Sequence, residues 1–442
     1  IAKSLLAGDW IDYAFIERYS EGFEEFIADI KATSWATIET RSGVSRREID
    51  DVAVIYAASQ ATVFAWGMGM THHLHGVSNV EYLANLALLR GMIGRRGAGL
   101  LPLRGHSNVQ GIGTIGVKPV LPDDVFAALE AHCGVPLPRK PGWDTMAAMQ
   151  AAAAGNVDAA VLLGGNLFAA NPNTEWASAA LDQINFRVAL TTTLNQSHIV
   201  GVAGESIVLP VAARDEETQA TTQESMFNYV RLSDGQILRH PGVRSEVAIL
   251  VDIAQRLLPD SPIDFGAFAE HQKIREAIAA TIPGMAELAD IDIAKREFHI
   301  AQRVMHEPNF NTACGKAHFR VRPLPEHRES RAYRLTTVRT EGQFNSIIYE
   351  EHDSYRRTDT RWAVLMGRAD IDKLGTQPGQ RVTLRSTHGV MAAVKVFEHD
   401  LPAGNVMAYY PEANCLTGTD VDPRSQTPAF KHTAIDILPV ES

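Results

Sequence analysis

Residues 66–111 read WGMGMTHHLHGVSNVEYLANLALLRGMIGRRGAGLLPLRGHSNVQG, and this segment is the most informative part of the chain about its architecture. An apolar run, Ala61–Trp66, leads into it and has the character of a β-strand that stops at two glycines. Apolar residues then recur at helical spacing from Val80 to Gly91, which predicts a helix. A glycine-rich loop with clustered polar side chains follows. A strand, a glycine turn, a helix and a glycine loop in this order predict an α/β fold whose backbone closely approaches a ligand.

Two polar groups of this segment are candidates for chemistry. His72, His73 and His75 do not form an H-E-x-x-H pattern and no cysteine pair lies near them, so we expect hydrogen-bonding roles and no metal site. The glycine loop sets Arg104 close to His106. A guanidinium beside an imidazole suits an anionic substrate or a phosphate. A loop that only satisfies its own backbone is the equally weighted alternative.

The run Leu88–Gly111 resembles the pattern L/M-T-G-x-x-G-x-x-G-x-G-x-x-P-x-R-G-x-x-N-x-Q-G of the molybdopterin-bis(guanine dinucleotide) oxidoreductases, specifically their formate dehydrogenase alpha-subunit-like branch. Arg90 and Met92 depart from that pattern at its start. Further stretches are similar to the family as far as the C-terminus. The resemblance implies two-electron redox chemistry on a small anion such as formate at a molybdenum-bis(molybdopterin guanine dinucleotide) centre. It also implies that Arg104 holds the anion and that His106 either relays a proton or donates a second hydrogen bond, at a position where formate-active relatives often have Gln.

The family begins with a cysteine cluster for a 4Fe-4S centre and a loop that supplies the Cys or selenocysteine ligand of molybdenum, and neither has a counterpart here. The only cysteines, Cys133, Cys314 and Cys415, are isolated, with no C-x-x-C. Cys314 takes the Ser position of a turn similar to the family's N-T-P-S-G-K-A and is expected to be a passive thiol. We therefore expect the C-terminal portion of a longer polypeptide, inactive alone, with the cluster in the preceding part and no metal ligand in this one.

Length and composition narrow the class of protein. A chain of 442 residues is too long for one compact core, so we predict two or three domains. The net charge of −11 argues against nucleic acid or an anionic membrane as a partner. No apolar run approaches the roughly 20 residues that span a bilayer. The scarcity of cysteines favours a reducing compartment, so we predict a cytoplasmic location.

The chain divides into two α/β regions and a β-rich end. Residues 10–31 are predicted as one amphipathic helix, and Ser45 and Glu48 as the capping box of another. The proline-rich residues 119–141 are interpreted as a crossover between domains. Strands at 158–163, 186–192 and 206–210 alternate with helices, which predicts a Rossmann-like, doubly wound parallel sheet. Six short strands after Tyr333 predict a β-barrel, of the double-psi type by resemblance. The predicted domains are residues 1–116, 117–325 and 326–442.

Ligands on a parallel sheet bind where the strands end, here at residues 164–166 and 191–198. From the residues alone, Asn166 is as well explained as a strand-end cap, and Arg339 and Lys431 as solvated surface charges. The resemblance implies that both turns hold a guanine dinucleotide, that residues 337–346 follow the pterin and phosphates, and that residues 414–431 add an Asn and a Lys. Thr192 replaces the acidic residue of the family's second turn. The cofactor-binding residues implied in this way are Met68, His72, Asn166, Thr192, Asn195, Ser197, Arg339, Glu341, Gln343, Asn345, Asn414 and Lys431.

Two other functions are weighed against this one. The chain could be a non-catalytic structural subunit of an electron-transfer complex that kept the fold and lost the cofactor. A degenerate site would have no need of Arg104, Asn345, Asn414 and Lys431, which argues against it. A nicotinamide dehydrogenase is the third possibility, and it lacks the G-x-G-x-x-G fingerprint. If the chain is part of a molybdenum-dependent oxidoreductase, an electron-transfer subunit is a possible partner.

Overall fold

The computed structural model describes residues 1–202, 204–301, 303, 305–325 and 331–439. Two α/β regions are followed by a closed barrel of six strands, so the mixed α/β class and the C-terminal barrel predicted from the sequence are confirmed. None of the helices in these ranges combines the length and apolar character that crossing a bilayer requires.

The N-terminal region surrounds a two-stranded parallel sheet with helices. The prediction of one helix over residues 10–31 is wrong, because Gly22 adopts φ +77° and the chain makes a short strand before it. The Ser45–Glu48 capping box is confirmed. The elements are α1 (Ala2–Ala7), α2 (Tyr13–Tyr19), β1 (Ser20–Glu21), α3 (Phe23–Ala32), α4 (Trp35–Ser42), α5 (Arg46–Ala58), β2 (Val63–Trp66), α6 (Met68–Thr71), α7 (Gly76–Leu89), β3 (Gly99–Pro102) and α8 (Val109–Thr114).

The middle region holds a parallel sheet and an antiparallel one. The predicted crossover at residues 119–141 contains a helix, because its prolines flank the helical residues without interrupting them. Short 3-10 helices lie at Gln196–His198, Arg214–Glu216, Phe265–Ala269 and Ala286–Asp290. The other elements are α9 (Asp123–Cys133), α10 (Thr145–Ala153), β4 (Ala159–Leu163), α11 (Leu167–Ala170), α12 (Thr174–Asp182), β5 (Phe186–Thr191), β6 (Glu205–Pro210), β7 (Thr221–Glu224), β8 (Tyr229–Ser233), α13 (Glu246–Leu257), α14 (His271–Thr281), α15 (Ile291–Ala294), β9 (Phe298–His299) and β10 (Ala317–His318).

Strands β4, β5 and β6 pair in sequence order and in parallel, as predicted. Strands β7, β8 and β9 form the antiparallel sheet. Before the barrel the chain returns to the N-terminal region, where β10 pairs with β1. There the ring of Phe319 stacks on that of Phe26 with centroids 5.2 Å apart. Residues 317–319 therefore belong to the N-terminal core, and the predicted domain boundary near residue 325 stays a prediction.

All six predicted barrel strands are present, and they close in the order β11-β17-β14-β16-β15-β18. Alternating side chains of these strands fill one apolar core, in which Leu335, Val364 and Val394 are fully buried. A hairpin, β12–β13, and a 3-10 helix at Glu412–Leu416 are inserted between barrel strands. The elements are β11 (Tyr333–Val338), β12 (Gln343–Phe344), β13 (Ile347–Ile348), β14 (Ala363–Met366), α16 (Arg368–Leu374), β15 (Arg381–Arg385), β16 (Val390–Glu398), β17 (Asn405–Tyr409) and β18 (Thr433–Pro439).

Candidate functional site

The turns at the carboxyl ends of β4 and β5 are joined by one hydrogen bond. Asn195 Nδ2 donates to the carbonyl oxygen of Gly165 over 2.7 Å, and its Oδ1 accepts from the backbone and hydroxyl of Ser197. Asn166 is buried and caps α11, because its Oδ1 accepts from the amide of Ala169. Asn166, Asn195 and Ser197 therefore lie together at the end of the parallel sheet, with their amide and hydroxyl groups engaged in shaping the two turns.

Helix α11, which follows the turn after β4, contacts the barrel. We refer to the contact between α11 and the barrel as the seam. Asn414, which is only 1% exposed, donates from Nδ2 to the carbonyl oxygens of Ala169 and Asn171 over 2.9 and 3.0 Å. Its Oδ1 is buried, and none of the described residues hydrogen-bonds to it. Tyr410 also spans the seam, since its hydroxyl reaches the carbonyl oxygen of Ala170 at 3.3 Å. Asn414 of the barrel thus contacts the helix that Asn166 caps.

On the barrel side of the seam, a tyrosine ring supports an arginine. The guanidinium carbon of Arg339 lies 4.4 Å from the ring centroid of Tyr410. Asn345 links the two, because its Oδ1 accepts from the Tyr410 hydroxyl at 2.8 Å and from Arg339 Nη2 at 3.3 Å. Burial raises the pKa of Tyr410 to about 12, so this phenol stays protonated at neutral pH. Arg339 and Asn345 are therefore in contact, and their roles toward a cofactor stay predictions.

Lys431 and His72 form the other wall of this site. The backbone nitrogen of Lys431 donates to the carbonyl oxygen of His72 over 3.1 Å, and its ammonium donates to the carbonyl oxygen of Thr337. The imidazole of His72 packs on Phe430 with ring centroids 5.4 Å apart. Phe430 in turn contacts the ring of Tyr410 edge-on at 5.4 Å. The rings of His72, Phe430 and Tyr410 therefore form one aromatic row. The row connects residues 72–75, which we call the histidine turn, to Lys431 and to the tyrosine that supports Arg339.

The electrostatics of this row favour an anion. Burial, together with the nearby positive charges of Arg339 and Arg356, lowers the pKa of Lys431 to about 8. Burial also lowers the pKa of Arg339. Burial and the charges of Lys431 and Arg339 together lower the pKa of His72 to about 4, so its imidazole is neutral at pH 7. Within the described ranges, no carboxylate contributes to the shift of either cation. The positive charges of Arg339 and Lys431 thus repel each other, and a bound anion would stabilise both.

Gln343 has a structural environment that differs from its neighbours'. It is buried, and its Nε2 donates to the carbonyl oxygens of Asn345 and Tyr410 over 2.6 and 2.7 Å. Its Oε1 accepts from the amide of Thr340 and from the buried guanidinium of Arg361. Because the amide group is fully engaged, Gln343 holds the backbone around Asn345 in place. Its direct contact with a cofactor stays a prediction.

The glycine loop approaches the same region from the other side. The ring of exposed His106 lies 6.1 Å from that of Phe344, the residue before Asn345. Arg104 is exposed too, and its backbone nitrogen contacts Met226 Sδ at 3.4 Å. Its side chain lines a cleft of about 790 Å³ that Lys118 and Arg303 also line. His106 therefore joins the barrel side of the site, whereas Arg104 faces an adjoining basic cleft.

Three predicted residues lie apart from these contacts. Met68 is exposed at the start of α6, a few residues before His72. Thr192 is exposed at the end of β5, before the turn that Asn195 organises. Glu341 is exposed and hydrogen-bonds Tyr355, and it raises the pKa of that phenol. Their roles toward a cofactor stay predictions.

Residues that the sequence did not single out complete the site. Tyr410 and Phe430 support Arg339 and His72, and buried Arg361 pairs with Glu412 while donating to the carbonyl oxygen of Tyr410. A cis peptide bond joins Tyr410 to Pro411. The run Tyr-Tyr-Pro at residues 409–411 was a signal, since a proline restricts the backbone of the residue before it to extended conformations.

A larger cleft adjoins this site. It has a volume of about 1040 Å³ and lies between α4, the histidine turn and the barrel. Lys431 and His73 are on its wall, together with Arg41 and Arg334. Its rim is thus basic, in contrast to the net negative charge of the chain.

Comparisons with known proteins find similarity over the barrel and over nearly the whole chain. Residues 333–434, which form the barrel, match the sequence profile described as a molydopterin dinucleotide binding domain. An uncharacterized oxidoreductase of Mycobacterium tuberculosis (strain H37Rv) is 35% identical over 465 residues, covering 99% of this chain and 59% of that protein. Protein YdeP of Escherichia coli (strain K12) is 34% identical over 454 residues, covering 97% and 59%. The chain thus spans less than two thirds of the length of these curated relatives.

Two further similarities are more distant. A provisional formate dehydrogenase of Staphylococcus aureus (strain MRSA252) is 30% identical over 219 residues, which cover 47% of this chain and 22% of that protein. Among solved structures, acetylene hydratase from Pelobacter acetylenicus superposes with a TM-score of 0.66 over 99% of this chain and 69% of that one. At 15% sequence identity this likeness supports the fold alone.

Proposed function

The chain belongs to the molybdopterin-dinucleotide oxidoreductase family, and from this premise we propose that it forms the dinucleotide-binding portion of a formate dehydrogenase-like enzyme. The substrate in this proposal is a small anion, with formate as the leading candidate. The electron acceptor would be a partner subunit or domain. The cofactor would be molybdenum-bis(molybdopterin guanine dinucleotide), with a 4Fe-4S cluster outside this chain.

The observation that carries the proposal is the Arg339–Lys431 pair. Two like charges, both with lowered pKa values and no carboxylate contributing to either shift in the part of the chain described, are costly unless an anion neutralises them. A pyrophosphate meets that requirement, because its oxygens accept charge-assisted hydrogen bonds from guanidinium and ammonium groups. The residues present therefore fit the phosphates of a dinucleotide.

Other residues of the site would bind the remaining parts of the dinucleotide. Asn345 orients Arg339, and the aromatic row of His72, Phe430 and Tyr410 packs beside the pair. Thr192 and Asn195 lie where the guanosine would end, at the carboxyl edge of the parallel sheet. Asn414 holds the barrel against that edge. When bound, the cofactor supplies the two-electron redox chemistry, and the chain supplies orientation and charge.

The glycine loop would handle the substrate. Arg104, in a basic cleft with Lys118 and Arg303, offers paired donors to a carboxylate. His106, beside Phe344, would accept or return a proton at its imidazole. Formate-active relatives often carry Gln at this position by the resemblance, so His106 is the residue on which the choice of anion depends.

A cofactor analysis tests the proposal. The protein, produced with its native flanking sequence in a host that makes the molybdenum cofactor, should contain molybdenum and release guanine nucleotide on acid treatment. Lys431→Met should lower both contents, whereas Lys373→Met, at an exposed site on α16 of the same barrel, should leave them unchanged. A protein that folds and carries neither molybdenum nor guanine nucleotide would instead be the non-catalytic subunit.

A further inference from the structure

Glu21, Cys314 and His318 cluster on the surface where β1 pairs with β10. One oxygen, one sulfur and one nitrogen from the three side chains lie within 4.8 Å of one another, and within the described ranges this is the one group of three such residues that could hold a metal ion. Cys314 Sγ is 3.5 Å from His318 Nε2, and Glu21 Oε2 is 3.6 Å from His318 Nδ1. The cluster lies outside the Arg339–Lys431 site.

Paired backbone fixes two of the three donors. Glu21 and His318 are direct neighbours in the parallel register of β1 and β10, and the amide of Phe319 donates to the carbonyl oxygen of Glu21 over 2.9 Å. Gly22 follows with φ +77°, and a Cβ there would come within 3.2 Å of the carbonyl oxygen of Phe319. The two side chains therefore leave a rigid strand pair on the same side.

A tight turn presents the third donor. Gly315 adopts φ +70°, and Thr312 Oγ1 donates to the carbonyl oxygen of Lys316 over 2.8 Å. Lys316 Nζ donates to the carbonyl oxygen of Glu17, which anchors the turn to α2. Cys314 is thus exposed at the top of an anchored turn, four residues before His318.

The donor set and its spacing suit zinc. Thiolate, imidazole and carboxylate are the three ligand types that Zn²⁺ takes in proteins, and bond lengths of about 2.0–2.3 Å place neighbouring donors of a tetrahedron about 3.3–3.7 Å apart. The Cys314–His318 and His318–Glu21 separations are of that size. Cys314 lies near Nε2 of His318, whereas Glu21 lies near Nδ1. The Glu21 carboxylate therefore has to turn toward the Nε2 side to complete the set of ligands. Its side chain is 48% exposed and free to do so.

We propose that Glu21, Cys314 and His318 bind one Zn²⁺ ion, with water in the fourth position. The ion links β1 to residues 314–318, which precede the barrel. It thereby stabilises the packing of this segment on the N-terminal core. The expectation that Cys314 is a passive thiol is replaced by a ligand role. Sequence spacing concealed the site, because Glu21 is distant along the chain and neither C-x-x-C nor H-x-x-x-H is present.

Co²⁺ titration of the purified chain tests the site, because Co²⁺ bound to a thiolate gives a near-ultraviolet charge-transfer band. We expect one Co²⁺ per chain with this band, and its loss on adding Zn²⁺. Cys314→Ser should abolish the band, while Cys133→Ser and Cys415→Ser serve as matched controls and should retain it. His318→Gln and Glu21→Gln should each weaken Co²⁺ binding about tenfold or more.

A second measurement covers the case in which a variant fails to fold. In the wild-type chain, Zn²⁺ should protect Cys314 from alkylation, as mapped by mass spectrometry, and leave the labelling of Cys133 unchanged. A chain that shows no thiolate band, or a band that survives Cys314→Ser, overturns the site. Disulfide reagents that attack Cys314 faster in the wild type than in His318→Gln, with no metal bound, would make the cluster an activated thiol instead.

Discussion

The backbone nitrogen of Lys431 donates to the carbonyl oxygen of His72 over 3.1 Å, and this one hydrogen bond joins the end of the barrel to the histidine turn after β2. It holds an ammonium group beside an imidazole, and the charge of Lys431 helps to keep the pKa of His72 near 4. Arg339 completes the wall from the first barrel strand. Elements from both ends of the chain therefore build a site that favours negative charge.

Lys431 makes anion affinity depend on pH. Its pKa of about 8 means that the free site loses this charge as pH rises through that value, and a bound phosphate would raise the pKa again. We expect affinity for guanosine diphosphate to fall as pH rises above about 8, by at most about tenfold per pH unit. Lys431→Met should bind more weakly and with little pH dependence, as isothermal titration calorimetry would measure. A wild-type affinity that is constant over this range contradicts the assignment.

The same lowered pKa predicts the opposite trend for the stability of the unliganded protein. The folded state resists protonation of Lys431, while the unfolded chain holds the proton up to the usual lysine range. The unfolded state therefore binds more protons above about pH 8, and stability should increase as pH rises through that value. Urea unfolding at several pH values, compared with Lys431→Met, measures the difference.

His72 predicts acid lability. Its pKa is near 4 in the folded protein and near 6.5 when unfolded, so the unfolded state binds more protons between these values. Stability should fall as pH decreases from about 6.5 to about 4, and His72→Phe should remove at most about 1.4 kcal/mol per pH unit of that slope. Phe430→Leu changes the packing on the ring without changing a titrating group. It should lower stability equally across this range, and a slope unaltered in His72→Phe would refute the prediction.

Asn414 predicts how strongly the barrel is held at the seam. Asn414→Ala leaves the carbonyl oxygens of Ala169 and Asn171 without their donor, which should cost about 2–3 kcal/mol in urea unfolding. Asn414→Asp should cost more, because a carboxylate would face two carbonyl oxygens. Asn405→Ala is the matched control, since among the described residues its side-chain amide donates only to the carbonyl oxygens of nearby Pro402 and Ala403. Equal losses at positions 414 and 405 would show that the seam depends on other contacts.

Much of the fold follows from local sequence. The six barrel strands could be predicted because β-branched residues and Gly, Pro or Asp punctuation recur at short intervals. The Ser45–Glu48 box marked its helix because capping is a local interaction. The break at Gly22 could not be read in the same way, because it depends on β1 pairing with β10, almost 300 residues later.

The site was less accessible to sequence analysis. Arg339 and Asn345 lie close together in the chain, and their proximity could be expected. The tyrosine that connects them, Tyr410, looks like the last residue of a strand, and its role arises only when the barrel closes. Gln343 shows the opposite difficulty. It lies in a polar stretch that the sequence analysis assigned to cofactor binding, yet its amide turns inward and bonds to the backbone. Contacts that form only when the barrel closes have no characteristic spacing in the sequence, so sequence analysis cannot predict them.

Arg104 provides the test of the substrate proposal. It is exposed in a glycine-rich loop and lines the basic cleft with Lys118 and Arg303, where a planar guanidinium can pair two donors with a carboxylate. Arg104→Lys keeps the charge and loses the paired geometry, so turnover by the holoenzyme should fall by on the order of 10²-fold while molybdenum and guanine nucleotide contents stay unchanged. Arg96→Lys, exposed in the same glycine-rich run, is the matched control and should keep full turnover.

His106→Gln completes this test, because it introduces the residue common in formate-active relatives. If the anion is formate, turnover of formate should be retained or increased in His106→Gln, since the amide still donates a hydrogen bond at the position beside Phe344. If proton transfer by the imidazole is required for another substrate, turnover of that substrate should fall by about 10²-fold or more. Wild-type turnover in Arg104→Lys, with either substrate, would mean that Arg104 only shapes the entrance and that the anion is held elsewhere.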